Sequence, residues 1–245
     1  MTDAPALSIV VPVFDEAENI LPLISEIEAV LTGIGMDYEI VYVDDGSRDE
    51  TRQRLADAQA RCARLRIVRL RRRCGQTAAI VAGIGEARAP LIATLDGDGQ
   101  NDPADIPRLL DALPAGTSPA PLIAGVRRKR QDGWLRRLSS WIANGLRGWI
   151  LNDGVPDTGC SLKLFERATF LRLPVFDHMH RFLPALFRRQ GLDVILVPVG
   201  HRRRTRGASK YGVMNRLWVG IVDLFGVMWL QRRMTWPDIA NEERK

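Results

Sequence analysis

The feature that most constrains this chain is a regular alternation between short apolar runs and longer segments with helical spacing. Apolar runs of strand length occupy residues 7–13, 38–43, 65–70, 91–95 and 122–125. The segments between them, at residues 20–31, 51–63, 77–87 and 105–113, have patterns typical of helices. Strands that alternate with helices form a mostly parallel sheet flanked by helices, which binds its ligand at the carboxyl ends of the strands. The sequence therefore predicts a Rossmann-like α/β fold.

The amino-acid composition of the chain limits the kinds of molecule that it is expected to bind. The chain has 245 residues, of which 46% are hydrophobic, so it can bury one sizeable core. Its net charge of +6 comes largely from arginine clusters, which suit nucleotides, nucleic acid or anionic lipid. The three cysteines have no metal-type spacing, and the N-terminus has no signal-peptide pattern. These features favour a reduced, cytosolic setting.

The stretch LIATLDGDGQNDP, residues 91–103, is a candidate metal site. An apolar strand ends at Asp96, and Asp98 and Gln100 follow at alternate positions. Hard divalent cations prefer such oxygen ligands, and two carboxylates leave coordination positions for a nucleotide diphosphate. The sequence predicts Mg²⁺ or Mn²⁺ here.

Other interpretations of this stretch fit less well. An EF-hand loop starting at Asp96 would have Asn101 in place of its glycine and Pro107 in place of its final glutamate. A phosphatase of the haloacid-dehalogenase type would need an Asp-x-Asp loop near the N-terminus, which VFDE and VDDGS do not supply. A polar turn without metal remains the simplest alternative. The chain also lacks a phosphate-binding P-loop and a dinucleotide-type glycine motif.

Several ordered motifs resemble the family 2 glycosyltransferases. They are PVFDEAENI, VDDGSRDET, RRRCGQTAAIVAG and LDGDGQNDP. Three further segments, DTGCSLKLF, HRFLPAL and HRRRTRGASKYG, resemble more narrowly the polyprenyl-phosphate sugar transferases, which include dolichyl-phosphate mannose synthase. The resemblance covers almost the whole chain and implies the glycosyltransferase A fold.

The resemblance also implies roles for individual residues. Those expected to bind the nucleotide-sugar donor are Pro12, Val13, Phe14, Glu16, Asp44, Gly75, Gln76, Asp96 and Lys210. The metal ligands would be Asp96, Asp98 and Gln100, and the acceptor phosphate would meet Arg127, Arg136 and Ser140. Arg204 and Lys210 would lie near the donor diphosphate on a closing loop. The family usually has tyrosine where Phe14 stands.

The implied reaction is inverting transfer of a sugar to a polyprenyl phosphate. Asp98, Asp157 and Arg204 are the residues expected to act in catalysis. The metal and Arg204 would offset the charge of the departing nucleotide diphosphate. A phosphate acceptor is already anionic, so Asp157 is either a general base or a group that holds its loop. A UDP-sugar is favoured over GDP-mannose, with a role in cell-envelope glycan or lipid A modification.

Two segments are predicted to meet a membrane surface. In residues 134–151 tryptophans and other apolar residues recur at helical spacing, and Arg137, Ser140, Asn144 and Arg147 line the other side. This pattern fits the headgroup boundary or, alternatively, a helix packed on the sheet. Residues 213–230 are mostly apolar but carry Asn215, Arg216 and Asp223, and fall short of the ~20 apolar residues that span a bilayer. We expect an amphipathic interfacial helix. Residues 1–200 would then form the catalytic domain and residues 201–245 a closing loop with a membrane-interface segment, in a peripheral enzyme on the cytoplasmic face.

Two alternatives remain open from the residues. A sugar-1-phosphate nucleotidyltransferase of similar fold would use the same carboxylates. A non-catalytic, basic nucleic-acid-binding protein would explain the charge but not the aligned carboxylates, and the chain has no helix-turn-helix or zinc pattern. We expect no nucleic-acid partner.

Overall fold

A seven-stranded sheet in the order β3-β2-β1-β4-β6-β5-β7 forms the centre of the molecule. The computed structural model describes residues 4–127, 151, 154–202 and 213–233. The strands are β1 (Leu7–Val13), β2 (Tyr38–Asp44), β3 (Leu65–Arg69), β4 (Leu91–Thr94), β5 (Leu122–Arg127), β6 (Lys163–Glu166) and β7 (Val194–Val199). All neighbouring strands pair in parallel except β6, which is antiparallel to both β4 and β5. The predicted mostly parallel α/β sheet is confirmed.

Helices cover both faces of this sheet. They are α1 (Ala17–Gly33), α2 (Thr51–Gln59), α3 (Gln76–Glu86), α4 (Ile106–Asp111), α5 (Arg167–Leu171), α6 (Leu183–Arg189) and α7 (Val213–Arg232), with short 3-10 turns at Pro103–Asp105 and Met179–Arg181. One apolar core packs α1, α2 and α4 against the sheet, and a second packs α3, α5, α6 and α7 against the other face. The central strands are buried on both sides, so their sequences are continuously apolar rather than alternating.

The first helix follows the predicted spacing. Its buried apolar positions are Ile20, Leu23, Ile24, Ile27 and Leu31, as the sequence pattern indicated. Asp15 and Glu18 have a spacing that predicts a cap for this helix, and that prediction is wrong because the N-cap residue is Glu16. Glu16 makes no side-chain capping bond, and Asp15, which has a positive φ of 50°, accepts a hydrogen bond from the backbone of Arg48.

The sequence prediction missed two strands. β6 contains a buried lysine within only four residues, and β7 contains a proline at position 198 near its end. The four residues of β6 carry no strand pattern of their own and depend on pairing with β4 and β5, whereas β7 reads VILVPV and has the apolar, β-branched composition of a strand.

The C-terminal helix α7 packs only part of its surface. Leu224 and Val227 are buried in the core shared with α6. The predicted helix is therefore present, with a terminus two residues beyond the predicted one. Within the described residues, no helix is both long enough and apolar enough to cross a bilayer. The predicted helix at residues 134–151 lies outside the described residues apart from Leu151.

Candidate active site

The candidate site lies where the direction of the chain connections reverses. From β1 the chain proceeds outward to β2 and β3, and then returns to place β4 on the opposite side of β1. In open α/β sheets ligands bind at such a reversal, outside the carboxyl ends of the strands, which here are the ends of β1 and β4. Gly97 follows β4 so closely beside β1 that a Cβ there would lie 2.3 Å from Val13 Cγ1. The ends of these two strands therefore form one continuous wall.

Asp44, at the end of β2, is fully buried. Its Oδ1 accepts a hydrogen bond from the Ser47 backbone at 2.8 Å. Its Oδ2 has no hydrogen-bond partner among the residues that the structure describes, and the Nε of Arg52 is 4.0 Å away. An unsatisfied buried carboxylate oxygen is costly unless a ligand supplies the donor.

Asp45 holds the neighbouring loop rather than a ligand. Its two carboxylate oxygens accept hydrogen bonds from the backbones of Cys74 at 2.6 Å and Gly75 at 2.8 Å. Gly75 has a φ of 96°, which a glycine adopts without strain. The loop after β2 thereby fixes the start of α3 and the predicted donor residues Gly75 and Gln76.

Aromatic and polar groups line the loop after β1. The guanidinium carbon of Arg73 lies 4.2 Å from the ring centroid of Phe14, in a cation–π arrangement. The backbone of Asp15 donates a hydrogen bond to Ser47 Oγ at 2.9 Å. The Glu16 backbone donates to Thr51 Oγ1 at 2.8 Å, which ties this loop to α2.

Asp96 and Asp98 follow β4 in a loop shaped by its own side chains. The backbone of Asp96 donates to Asn101 Oδ1 at 3.1 Å, and Asp98 Oδ1 accepts from the backbone of Gln100 at 3.1 Å. Gln76 Nε2 reaches across from α3 and donates to Asp96 Oδ1 at 2.7 Å. The two carboxylates are therefore oriented by partners from two separate segments.

The electrostatics of this loop fit a divalent cation. Burial, together with the charge of Asp98, raises the pKa of Asp96 to about 6. Two acidic groups that disfavour each other's ionisation are stabilised when a cation lies between them. Within the described residues no group of three or more histidine, cysteine or acidic side chains is placed to hold a metal ion.

Gln100 connects this loop to the segment that follows β7. The Arg202 backbone donates to the carbonyl of Gln100 at 2.9 Å, and Gln100 Nε2 lies 3.5 Å from the carbonyl of Arg202. The Arg202 guanidinium also pairs with Asp102 at 2.8 Å and Glu26 at 2.6 Å. The start of the predicted closing loop is thus fixed beside the predicted metal ligands.

Arg127 and Asp157 form a largely buried ion pair. Arg127 Nε and Nη2 each donate to a different oxygen of Asp157, both at 2.7 Å. The Arg127 side chain is 17% exposed and that of Asp157 is 7% exposed. Bidentate pairing fixes both groups in direction. Gly159 is tightly packed here, since a Cβ would lie 3.2 Å from Arg127 Nη2.

Lys163 adds a buried positive charge behind these carboxylates. It lies in β6, paired with Thr94 of β4 and Ala124 of β5, and donates a hydrogen bond to the carbonyl of Cys160. Burial lowers the pKa of this lysine, and the nearby charges of Asp96 and Asp157 oppose that effect.

His180 lies on the far side of the α3 N-terminus. Its Nδ1 is 2.8 Å from the hydroxyl of Thr77, the residue after Gln76. Burial, with a smaller contribution from Arg181, lowers the pKa of His180 to about 3. The imidazole is therefore neutral at physiological pH.

The structure brings most of the predicted residues to one edge. Those described at the strand ends and in the adjoining loops are Pro12, Val13, Phe14, Glu16, Asp44, Gly75, Gln76, Asp96, Asp98, Gln100, Arg127 and Asp157. The predicted residues Arg136, Ser140, Arg204 and Lys210 lie outside the described residues.

Sequence reasoning gave no role to four polar groups of this site. Asp45, Asn101, Lys163 and His180 all contact or face the predicted residues. Lys163 carried a usable signal, because a lysine between two leucines within a short apolar run must find a buried partner. The role of His180 depends on a contact between residues 103 positions apart, which no local pattern records.

Comparison with known proteins identifies the family. The family model described as glycosyl transferase family 2 matches residues 8–192. The dodecaprenyl-phosphate galacturonate synthase of Rhizobium johnstonii is 40% identical over 238 residues, which cover 94% of this chain and 69% of that protein. The undecaprenyl-phosphate 4-deoxy-4-formamido-L-arabinose transferase of Edwardsiella ictaluri is 35% identical over 209 residues, which cover 85% of this chain and 63% of that protein.

Solved structures show the same fold. Glucosyl-3-phosphoglycerate synthase from Mycobacterium tuberculosis, in complex with Mn²⁺, UDP and glucosyl-3-phosphoglycerate, superposes with a TM-score of 0.69 at 19% identity. The match covers 96% of this chain and 81% of that one. The same enzyme with Mg²⁺ and UDP gives a TM-score of 0.69. The fold is the glycosyltransferase A fold that the sequence predicted. The chain belongs to glycosyl transferase family 2 and is a glycosyltransferase.

Proposed function

We propose that this enzyme transfers a sugar from a UDP-sugar to a polyprenyl phosphate at the cytoplasmic face of a membrane, with inversion at the anomeric carbon and with Mg²⁺ or Mn²⁺ as cofactor. The product is a lipid-linked sugar for cell-envelope glycan or lipid A modification. The similarity to the galacturonate synthase and the formamido-arabinose transferase supports the class of acceptor.

One observation carries the proposal. The strand-end carboxylates Asp44 and Asp96 flank β1 at the same edge of the sheet, one with an unsatisfied buried oxygen and the other beside a second acidic group. A nucleoside diphosphate bound with a cation needs both features. Its base requires a buried polar partner, and its phosphates require positive charge that the two aspartates recruit.

The geometry of Asp44 supports uridine over guanosine. The backbone N–H of Ser47 already donates a hydrogen bond to Oδ1 of Asp44, which leaves Oδ2 of Asp44 as the acceptor for a base. Uracil presents a single ring N–H, whereas guanine presents a ring N–H and an amino group side by side and is best matched by two acceptor oxygens. One open oxygen therefore fits uracil.

Asp96 and Asp98 would hold the cation, with the amide of Gln100 as a third ligand. When bound, the cation supplies Lewis-acid stabilisation for the departing UDP. Gln76 keeps Asp96 oriented through the hydrogen bond of 2.7 Å. Arg204 and Lys210 are proposed to add positive charge at the diphosphate.

The acceptor phosphate would meet Arg127 together with Arg136 and Ser140. In the transfer step a phosphate oxygen forms the new bond to the anomeric carbon, and the bond from that carbon to the diphosphate breaks with its electron pair leaving on UDP. The acceptor oxygen carries no proton that must be removed at neutral pH. Both oxygens of Asp157 accept hydrogen bonds from Arg127, which favours a positioning role for Asp157 over that of general base.

Helix α7 would rest on the membrane surface. The exposed large apolar residues Ile221, Val222, Phe225 and Trp229 share one side of this helix. The exposed side chains of Arg232 and Arg233 follow at its end. Exposed apolar residues next to basic ones suit the boundary between headgroups and acyl chains.

A donor screen tests the reaction. Purified protein is incubated with undecaprenyl phosphate and a panel of UDP-sugars and GDP-mannose, with and without Mn²⁺, and lipid products are identified by mass spectrometry. We expect a glycosyl phospholipid from a UDP-sugar only when the cation is present. Formation of a nucleotide sugar from a sugar 1-phosphate and a nucleoside triphosphate, without lipid product, would instead establish a nucleotidyltransferase.

Vesicle sedimentation tests the membrane contact. Replacing Phe225 and Trp229 by serine is expected to reduce binding to vesicles that contain anionic lipid. Val175→Ser is the matched control, because Val175 is 65% exposed and lies away from α7 in sequence. Equal binding by the α7 variant and the control would contradict the proposed orientation.

A further inference from the structure

The first turn of α3 is held from two sides. Asp45 accepts hydrogen bonds from the backbones of Cys74 and Gly75 on one side of Gln76. His180 Nδ1 lies 2.8 Å from the hydroxyl of Thr77 on the other side. Gln76 lies between these two attachments and is the residue that reaches Asp96.

The contact between His180 and Thr77 is well protected. Thr77 is 5% exposed, and α3 has no side-chain capping bond at its N-cap residue Gly75. The contact between the Thr77 hydroxyl and the imidazole is therefore a side-chain attachment that ties this turn to the segment at His180. Because the imidazole stays neutral near physiological pH, the contact does not change with small changes of pH.

We propose that His180 is a positioning residue for the cation site: through Thr77 it fixes the first turn of α3, so that Gln76 holds Asp96 in the orientation that a divalent cation requires. The inference rests on the proposed use of Asp96 as a metal ligand. His180 does not itself contact the reacting groups in this assignment.

The expected effect is on cation affinity. Partners that orient a metal-binding side chain contribute roughly 10–100-fold to metal affinity. His180 acts one contact further away, so its loss should weaken Mn²⁺ binding by roughly threefold to tenfold. The transfer rate at saturating Mn²⁺ should change less than the affinity does.

Calorimetric titration of Mn²⁺ into the purified protein with UDP present measures this affinity without turnover. The variants are His180→Ala, Thr77→Val and the double variant, with His180→Asn and Thr77→Ser as conservative replacements. Asparagine keeps a polar atom near the Nδ1 position, and serine keeps the hydroxyl. His178→Asn is the matched control, because His178 lies on the same segment but pairs with Asp223 of α7 at 3.0 Å.

We expect His180→Ala and Thr77→Val each to weaken Mn²⁺ binding. The double variant should bind Mn²⁺ as tightly as whichever of the two single variants binds it less tightly. The conservative variants and His178→Asn should stay within about twofold of the unaltered protein. If His180→Ala fails to fold, Thr77→Val, which removes one hydroxyl and retains the shape, decides the question.

Several results would overturn the assignment. They are additive losses in the double variant, an equal loss in His178→Asn, unchanged affinity in a folded Thr77→Val, or no Mn²⁺ binding by the unaltered protein. If Mn²⁺ binding depends on His180 as expected while no sugar reaches polyprenyl phosphate, the proposed reaction fails and the positioning role stands.

Discussion

The loops after β2 and β4 both begin with paired carboxylates at the same edge of the sheet, yet they use them differently. In the loop after β2, Asp44 and Asp45 are adjacent, and three of their four oxygens accept backbone hydrogen bonds. In the loop after β4, Asp96 and Asp98 are separated by Gly97, and burial, together with the charge of Asp98, raises the pKa of Asp96 to about 6. The acidic groups of the first loop mainly hold backbone amides, with only Oδ2 of Asp44 left without a hydrogen-bond partner in the part of the chain that the structure describes, whereas Asp96 and Asp98 in the second loop accept hydrogen bonds from Gln76 and from the Gln100 backbone.

The spacing of the two acidic residues along each loop explains why the two pairs have different partners. Adjacent residues at a strand end point in opposite directions, so Asp45 reaches the loop after β3 while Asp44 contacts Ser47 and Arg52. Alternate residues can point the same way, and the glycine between Asp96 and Asp98 allows the close approach of β1. Substitutions in the two loops should therefore separate effects on stability from effects on activity.

The largest effect is expected from Asp98→Ala. Loss of one of the two proposed acidic ligands should lower sugar transfer by at least about a thousandfold, because the cation that would stabilise the leaving group is no longer held. The thermal midpoint should not fall. Asp111→Ala is the control, since Asp111 is an exposed carboxylate at the end of α4. Retained activity in Asp98→Ala would contradict the metal assignment.

Asp45→Ala should show the opposite pattern, with stability as the main loss. Two backbone amides lose their acceptor, which should lower the free energy of unfolding by about 3 kcal/mol. Urea denaturation measures the change, and Asp45→Asn, which keeps one acceptor oxygen, should lose about half as much. A fully stable Asp45→Ala protein would show that this loop does not depend on its carboxylate.

The raised pKa of Asp96 predicts that the stability of the metal-free protein, measured in the presence of a chelator, depends on pH. Because its folded-state pKa of about 6 exceeds the ordinary aspartate pKa of 3.8, its stabilising contribution is complete below pH 4 and is lost as the pH rises through 6. Asp96→Asn should therefore be more stable than the unaltered protein at pH 7, on the order of 2 kcal/mol, with little difference at pH 4. Denaturation at both pH values measures this, and an equal difference at the two would refute it.

Ser47→Ala should have the smallest effect. The Ser47 hydroxyl accepts one hydrogen bond from the backbone of Asp15, while the Ser47 backbone keeps its bond to Asp44. We expect a loss of about 0.5–1 kcal/mol in the free energy of unfolding and a transfer rate within about twofold. A large fall in the transfer rate would instead indicate that this hydroxyl contacts the donor.

Most of the fold was predictable because its strongest elements are locally encoded. The apolar runs of β1 and β2 and the helical spacing of α1 give the parallel half of the sheet. The antiparallel strand β6 was not predictable, since it is short and contains a buried lysine that only its neighbours make tolerable. The residues of the candidate site divide in the same way, into those that a local pattern indicates and those that depend on contacts between distant positions. Asp96 and Asp98 were recognisable from their spacing, whereas the pairing of Arg127 with Asp157 joins positions 30 residues apart.

By itself, the sequence determined the alternation of strands and helices, the family and the carboxylates at the strand ends, because these depend on local periodicity and on the order of motifs. Only the tertiary structure decided which of those carboxylates are satisfied by backbone amides and which are left open. It also decided that Gln76, Thr77 and His180 connect α3 to Asp96. Hydrogen-bond satisfaction is a property of groups brought together in space, and no spacing along the chain specifies it.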